Sequence, residues 1–464
     1  MDNYYQYPLK NKVMKLKYLF TSFFVLAAVL NASCSDNDNY TIPKGSFEEK
    51  PIVPPVKVET SKVDGKWKLL VDGQELYIKG AACNNFYAEA ADFGANVVRT
   101  YGVSDKSKAI LDAAQEKGLY VNFGLYVKRE TDGFDYNNTA AVKAQFDEMK
   151  ATVERFKDHP ALLVWSIGNE AEASYTNLKL WDAINDIAKM IHETDPNHPT
   201  TTTLASSNVN HIKNIIEKAP HIDILSVNTY APNLPGVLGN LQSAGWTKPY
   251  MITEFGPRGT WQMNPEPERV LPWGGLVEQT SSEKEADYLK AYQENIAANK
   301  DNGCIGSFVF LWGYQTHGEV LTWYGLFDKK GYTFPAVDAM QYAWTGSYPK
   351  NRAPVIATRN DMLMNGKKAE DAIIVSPNSS NEAKVTATDP DGDALTYDWM
   401  IMKEKTASSD GSLPDGITGL IDDNTKKDIT FKAPSTVGNY RLIVFVRDVK
   451  NKKVASAVIP FSVQ

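Results

Sequence analysis

The chain has 464 residues, 43% hydrophobic and 23% charged, with a formal net charge of −7. That length allows two or three folded domains of ordinary globular composition, and the negative balance argues against a nucleic-acid partner, which selects a basic face. Three cysteines (Cys34, Cys83, Cys304) form no disulfide framework, and six scattered histidines without Cys/His clusters or HExxH spacing predict no metal site and no cofactor.

At the N-terminus, Lys10, Lys12, Lys15 and Lys17 precede an apolar run over residues 18–30, then small residues and Cys34. Charge, length and cleavage region predict a signal peptide over residues 1–34, too short for a comfortable transmembrane helix. Leu30-Asn31-Ala32-Ser33-Cys34 resembles a bacterial lipoprotein signal, which implies lipidation of Cys34. It departs from that pattern at Asn31, where an aliphatic residue is usual. Ser35-Asp36-Asn37-Asp38 is similar to the acidic export signal of surface lipoproteins in one large phylum of Gram-negative bacteria. The expected location is therefore the outer membrane, lipid-anchored and surface-exposed, with a periplasmic or secreted protein as the alternative. Residues 35–55, polar and then rich in proline (Pro51, Pro54, Pro55), read as a semi-rigid tether.

Residues 56–79 hold short alternating runs broken by Asp64-Gly65 and Asp72-Gly73, hairpin turns of a lead-in that covers the bottom of the next domain. From there to about residue 345, apolar runs alternate with amphipathic ones. Strands are expected at 76–82, 95–100, 119–123, 162–167, 200–204, 222–227, 249–253 and 305–311. Helices are expected at 105–117, 139–157, 177–194, 208–218 and 282–299; Val142, Phe146, Met149, Val153 and Phe156 mark one buried helical face. Eight strands alternating with helices predict an α/β fold, a (β/α)8 TIM barrel over residues 56–348 including the lead-in. A doubly wound sheet is the alternative, disfavoured because no glycine-rich phosphate loop follows the first strand. Cys83 and Cys304 fall at opposite ends of their strands, too far apart to pair.

Pro349 and Pro354 mark a boundary. Residues 353–464 predict an all-β Ig-like sandwich with strands at 383–388, 395–400, 428–431, 439–448 and 455–462, Trp399 and Tyr440 in its core, and an apolar–polar alternation over 457–463. Asp389-Pro390-Asp391-Gly392-Asp393 reads as a solvated turn rather than a Ca²⁺ loop. A spacer role fits this domain better than glycan binding.

The C-terminal ends of barrel strands are where a TIM barrel carries its site. Those ends hold Asn84, Asn85, Arg99, Tyr101, Tyr126, Asn169, Glu170, Asn228, Tyr230, Glu254 and Trp312. Val164-Trp165-Ser166-Ile167-Gly168-Asn169-Glu170 and Pro249-Tyr250-Met251-Ile252-Thr253-Glu254-Phe255-Gly256 share one design: an apolar strand that ends in a carboxylate beside a glycine. A carboxylate there is costly unless it is used. Two carboxylates meeting in one cleft are the minimum equipment for cleaving a glycosidic bond.

These two stretches resemble the signature strands of the large clan of retaining TIM-barrel glycoside hydrolases, over residues 57–346. The resemblance implies Glu170 as general acid/base, Glu254 as nucleophile and Asn169 as the group that binds the sugar 2-OH. It further implies that Arg99 and Tyr230 hold Glu254, with Arg99 keeping it ionised, and that Trp312 forms the floor beside the scissile bond. A Trp-lined setting is expected to keep Glu170 protonated. Asn85, Asn228 and Tyr126 are further substrate-binding candidates; Trp261, Trp273, Tyr314 and Trp323 are candidates for lining an open groove. The barrel motifs are similar to glycoside hydrolase family 2, but that family carries sandwich domains before its barrel. The stripped barrel with a trailing Ig-like domain on a surface lipoprotein is more similar to glycoside hydrolase family 158, which implies an endo-β-1,3-glucanase acting on β-glucan; a monomer is expected. An exo-β-glycosidase or β-mannanase of the same clan, and an inactive surface glycan-binding protein, are the alternatives.

Overall fold

The computed structural model describes residues 55–263, 269–315, 320–405, 413 and 415–464. The signal peptide, Cys34 and the tether up to residue 54 lie outside the described residues. Val53–Gln464 form one compact unit.

The lead-in is a three-stranded antiparallel sheet, β1 (Val58–Val63), β2 (Lys66–Val71) and β3 (Gln74–Glu75). Asp64, Gly65, Asp72 and Gly73 all take positive φ, which matches the twist of two-residue hairpins. Val58, Leu69 and Val71 pack with Ile78, Leu163, Ile224, Met251 and Ile305, residues at the starts of barrel strands. The little sheet therefore plugs the bottom of the barrel.

The barrel is closed by eight parallel strands: β4 (Ile78–Cys83), β5 (Val97–Arg99), β6 (Tyr120–Leu125), β7 (Leu162–Asn169), β8 (Thr200–Leu204), β9 (Ile224–Asn228), β10 (Tyr250–Phe255) and β11 (Cys304–Trp312). All eight lie where strands were expected, although β8 reads Thr-Thr-Thr-Thr-Leu rather than an apolar run, and closure rules out the doubly wound sheet. Six helices pack outside: α1 (Ser107–Glu116), α2 (Thr139–Phe156), α3 (Lys179–Thr194), α4 (Val209–Lys218), α5 (Val237–Ala244) and α6 (Ser281–Ala291); α7 (Pro335–Thr345) follows β11. Asn138 caps α2 by accepting the Ala141 N–H, and Met149, Val153 and Phe156 are its buried face. Two expectations change here. The single helix expected over 282–299 ends at Ala291 and continues as a π turn and a 3₁₀ segment. Helix α7 shows no one-sided stripe in the sequence because it is buried almost all round, from Pro335 to Met340 and at Trp344. Cys83 and Cys304 are both buried free thiols.

Beyond the barrel, a three-stranded sheet of β12 (Met362–Met364), β14 (Ser380–Val385) and β17 (Asp428–Lys432) faces a five-stranded sheet. The latter runs β13 (Ile374–Val375), β19 (Lys453–Val463), β18 (Gly438–Asp448), β15 (Leu395–Lys403), β16 (Gly416–Ile417). Both sheets bury one shared core around Trp399, Val385, Phe431, Leu442 and Phe461. The alternation expected over 457–463 is not a solvent-facing one: every residue of β19 is buried. The other face of the five-stranded sheet, with Ile443 and Phe445 of β18 and Val454 and Val458 of β19, packs on Phe334, Leu321 and Tyr332 beside the barrel. Buried ion pairs close this contact, Arg447 to Asp328 at 2.9 Å and Lys453 to Asp338. The sandwich is thus docked on the barrel through one whole sheet face.

Candidate active site

Strand β7 delivers Glu170 through a backbone that turns sharply after its apolar run. Gly168 has φ 77° and Glu170 itself φ 52°. A left-handed conformation at a non-glycine residue costs free energy and persists where the surroundings impose it. Here the Glu170 N–H donates to the Thr203 carbonyl of the neighbouring strand at 2.9 Å. Strand β10 delivers Glu254, 6% exposed; the register of β10 with β9 shifts between Ile252 and Glu254, and Ile252 and Phe255 on either side of it both pack into the core between barrel and helices.

Glu254 is held from three directions. Arg99 Nη1 donates to its Oε1 at 3.2 Å, Tyr101 Oη donates to the same oxygen at 2.9 Å, and Tyr230 Oη donates to Oε2 at 2.6 Å. Tyr230 is buried and Tyr101 partly so; both hydroxyls are held far above their ordinary range, desolvation first and the Glu254 charge next, so they stay donors. The Arg99 guanidinium lies 4.5 Å from the Tyr101 ring centroid. It is 1% exposed, and its other bonds go to the Thr253 carbonyl at 2.8 Å, Asn228 Oδ1 at 3.3 Å, Asn169 Oδ1 at 2.6 Å and Thr203 Oγ1 at 3.4 Å.

Asn228 joins the two carboxylates. Its Nδ2 donates to Glu170 Oε1 at 2.7 Å and to Asn169 Oδ1 at 3.0 Å, while its Oδ1 accepts from Thr253 Oγ1 at 3.0 Å. The continuous path Glu170–Asn228–Arg99–Glu254 puts both acids at one mouth of the barrel. Asn169 receives Arg99 and Asn228 on Oδ1 alone, which leaves its Nδ2 as a donor for a ligand.

The electrostatics differ from the expectation that Arg99 keeps Glu254 ionised. Burial pushes the Glu254 carboxyl up to about 7; Arg99 and the two tyrosine hydroxyls pull it back, and the Glu170 charge raises it further. Desolvation outweighs the ion pair. Two residues beyond Glu170, Glu172 is 2% exposed, and burial raises its carboxyl to about 7 against backbone N–H donors that include Ala205, 2.6 Å from its Oε1.

Several expected members stand elsewhere. Trp312 is wholly buried in the layer between barrel and helices, edge-on to Phe93 and Phe327, with its Nε1 donating to the Phe86 carbonyl at 2.9 Å. It forms no floor. The register between β11 and β4 shifts between Val309 and Trp312, and that irregularity turns Trp312 outward. The aromatic that faces inward from this strand is Phe310, 5.9 Å from Tyr230 between ring centroids. Tyr126 is exposed and donates to Asp132; Asn85 donates to Asn84 at 3.2 Å. Neither makes a hydrogen bond to the two carboxylates. Trp323 is buried with its Nε1 on the Arg258 carbonyl, Trp273 donates to Glu404 at the sandwich contact, and Tyr314 packs on Phe86. Glu170 meets an asparagine amide rather than a tryptophan. Tyr101 stood among the strand-end residues without a role; it lies two residues past Arg99, just beyond the end of β5, and its hydroxyl is the contact to the Glu254 carboxylate that the sequence did not reveal. Among the described residues no group of three His, Cys, Asp or Glu side chains is placed to hold a metal ion.

Residues 92–263, which contain Arg99, Glu170, Tyr230 and Glu254, match the model of the glycosyl hydrolases family 2 TIM barrel domain. A beta-galactosidase of Arthrobacter sp. (strain B7) is 31% identical over 110 residues, 22% of this chain and 10% of that protein. Among solved structures, a GH2 beta-galacturonidase from Eisenbergiella tayi is 17% identical with a TM-score of 0.46, over 63% of this chain and 55% of that one. A calcium-binding mutant of Bacteroides uniformis beta-glucuronidase 2 is 13% identical with a TM-score of 0.46, over 85% and 46%. The chain spans a tenth of the curated relative and about half of each of these structures. In its barrel segment, the chain is similar to the TIM barrel domain of the glycosyl hydrolases family 2.

Proposed function

We propose that the protein is a retaining glycoside hydrolase of β-linked sugars. The observation that carries this reading is the hydrogen-bonded path from Glu170 through Asn228 and Arg99 to Glu254 at the C-terminal ends of two barrel strands. In this reading Glu254 attacks the anomeric carbon while Glu170 protonates the leaving oxygen; a water activated by Glu170 then releases the sugar. Tyr230 and Tyr101 fix both oxygens of the nucleophile, and Asn169 Nδ2 reaches the sugar hydroxyl beside the anomeric centre. Substitution of Glu170 by alanine, with azide as external nucleophile, tests it. A β-glycosyl azide product supports the assignment; full activity of Glu254→Ala on every β-glycoside would sink it.

Between exo and endo action, the exo reading is favoured. Support comes from the family 2 match over the barrel and from a curated relative that is a beta-galactosidase. An endo-β-1,3-glucanase and a β-mannanase are the second readings, and product sizes from a soluble oligosaccharide separate them. The Ig-like reading of the C-terminal sandwich rests on Trp399 in its core and on Tyr440, whose hydroxyl donates to the Thr436 carbonyl at 2.8 Å. Lipid anchoring at Cys34 and a surface location rest on the N-terminal sequence alone.

A further inference from the structure

All ten tryptophans of the chain lie within described residues, and Trp261 alone is exposed, at 65%. Its place is not an arbitrary stretch of surface. It stands edge-on to Tyr230, 5.5 Å between centroids at 89°, and Tyr230 is the residue whose hydroxyl holds Glu254 Oε2. Tyr324 and Phe310 complete a cluster of four rings, with Tyr324 5.5 Å from Tyr230 and 5.6 Å from Phe310. Tyr230 is buried, and Tyr324 and Phe310 are partly buried; the fourth ring presents its indole to solvent beside the carboxylates.

The turn that carries Trp261 is braced rather than loose. Gly259 N–H donates to Gln262 Oε1 at 2.8 Å, Gln262 N–H donates back to the Gly259 carbonyl at 2.9 Å, and Thr260 N–H donates to Tyr324 Oη at 3.2 Å. Arg258 Nη1 reaches the Gln262 carbonyl at 3.1 Å. Gly259 is required for the ring's position: a Cβ there would lie 2.7 Å from Trp261 Cε2 and Cζ2. The indole rests directly on a glycine backbone, so its orientation is set before any ligand arrives.

A preset, solvent-facing aromatic ring next to a polar site offers its electron-rich face to the weakly positive C–H groups of a sugar ring, and covers them from water. We propose that Trp261 is the stacking platform for a second sugar ring of the substrate, next to the ring bound at Glu170 and Glu254, so that the enzyme selects β-linked glycans over glycosides with small leaving groups. This rests on the glycosidase reading above.

The test uses the full chain and substrates that differ only in the second ring. The β-glucosyl, β-galactosyl and β-glucuronosyl fluorides have a leaving group with no ring; the best of them is paired with a β-linked disaccharide of the same sugar. Trp261→Ala is expected to lower kcat/KM on the disaccharide by about tenfold and to leave the fluoride within about threefold. Gly259→Ala, which displaces the indole without deleting it, is expected to give the same selective loss, and Trp261→Phe to recover part of it. Equal losses on both substrates would make Trp261 a mere prop for Tyr230 and overturn the proposal, as would unchanged disaccharide turnover. Failure of the wild-type protein to hydrolyse any of the fluorides is a separate result, which removes the glycosidase reading itself.

Discussion

Tyr230 donates its phenolic hydrogen to Glu254 Oε2 across 2.6 Å, while Tyr101 does the same to Oε1 across 2.9 Å. A carboxylate with both oxygens engaged by neutral donors keeps its orientation as a covalent bond to it forms and breaks. Tyr230→Phe is expected to lower kcat by about ten- to hundredfold, the scale of losing one aimed donor in a dry site. Tyr101→Phe, on an oxygen that Arg99 also holds, is expected to cost less. Steady-state kinetics on a β-glycosyl fluoride measures both.

The pH profile follows from the same cluster. Glu254 must be ionised to attack, and burial has lifted it to about 7, so the ionised fraction falls as pH drops through that value. An acid limb in kcat/KM near pH 7 is expected for the free enzyme. Removing the Tyr101 hydroxyl takes away a hydrogen bond that lowers this pKa. The limb should then move to higher pH, as a profile from about pH 5 to pH 9 would reveal.

Glu172 predicts a stability effect with no direct catalytic part. Its folded pKa of about 7 stands above its ordinary value of 4.5, and one oxygen, Oε2, is buried without a partner. The folded state holds this proton more tightly than the unfolded state. The resulting stability is full below the unfolded pKa and is lost as pH rises through the folded one. Glu172→Gln keeps an acceptor for the Ala205 N–H and cannot ionise. It is expected to match wild type at about pH 5 and to exceed it by about 1–3 kcal/mol at about pH 8 in denaturant melts.

The docked sandwich predicts unequal ion pairs. Arg447→Ala leaves the Asp328 carboxylate buried and uncompensated, which costs about 3–5 kcal/mol. Lys143→Ala breaks an exposed pair with Asp147 on α2 and costs about 0–0.5 kcal/mol. Thermal melts of the two variants give the contrast. Deleting residues 353–464 strips the cover from Phe334, Leu321 and Tyr332. The truncated barrel is expected to aggregate, seen as a shift of its peak to the void volume in size-exclusion chromatography, where a free spacer would have left it soluble.

Trp312 gives the last test. Packed among Phe93, Phe327 and Trp344, it acts on stability rather than on substrate. Trp312→Ala is expected to cost about 3–5 kcal/mol, while the KM of the folded fraction stays at the wild-type value.

What the sequence by itself determined is local and periodic. Apolar runs such as 162–167 and 249–253 located barrel strands, because a strand buried on both faces must be apolar throughout. The chain's abrupt switch to glycine and carboxylate placed Glu170 and Glu254 at strand ends, where such groups are tolerable only with partners. Strand-by-strand reading also put Arg99, Asn169, Asn228 and Tyr230 at the same mouth. What only the tertiary structure decided is which of these groups touch. Arg99 and Glu254 are 155 residues apart, and their contact exists only once the barrel closes. The resemblance implied a floor at Trp312, but the register shift after Val309 turns that ring outward and leaves Phe310 facing Tyr230, which no residue-by-residue reading reveals. Glu254's proton affinity is likewise a property of the fold. It depends on how much water the closed barrel removes, set against one guanidinium and two hydroxyls brought from other strands.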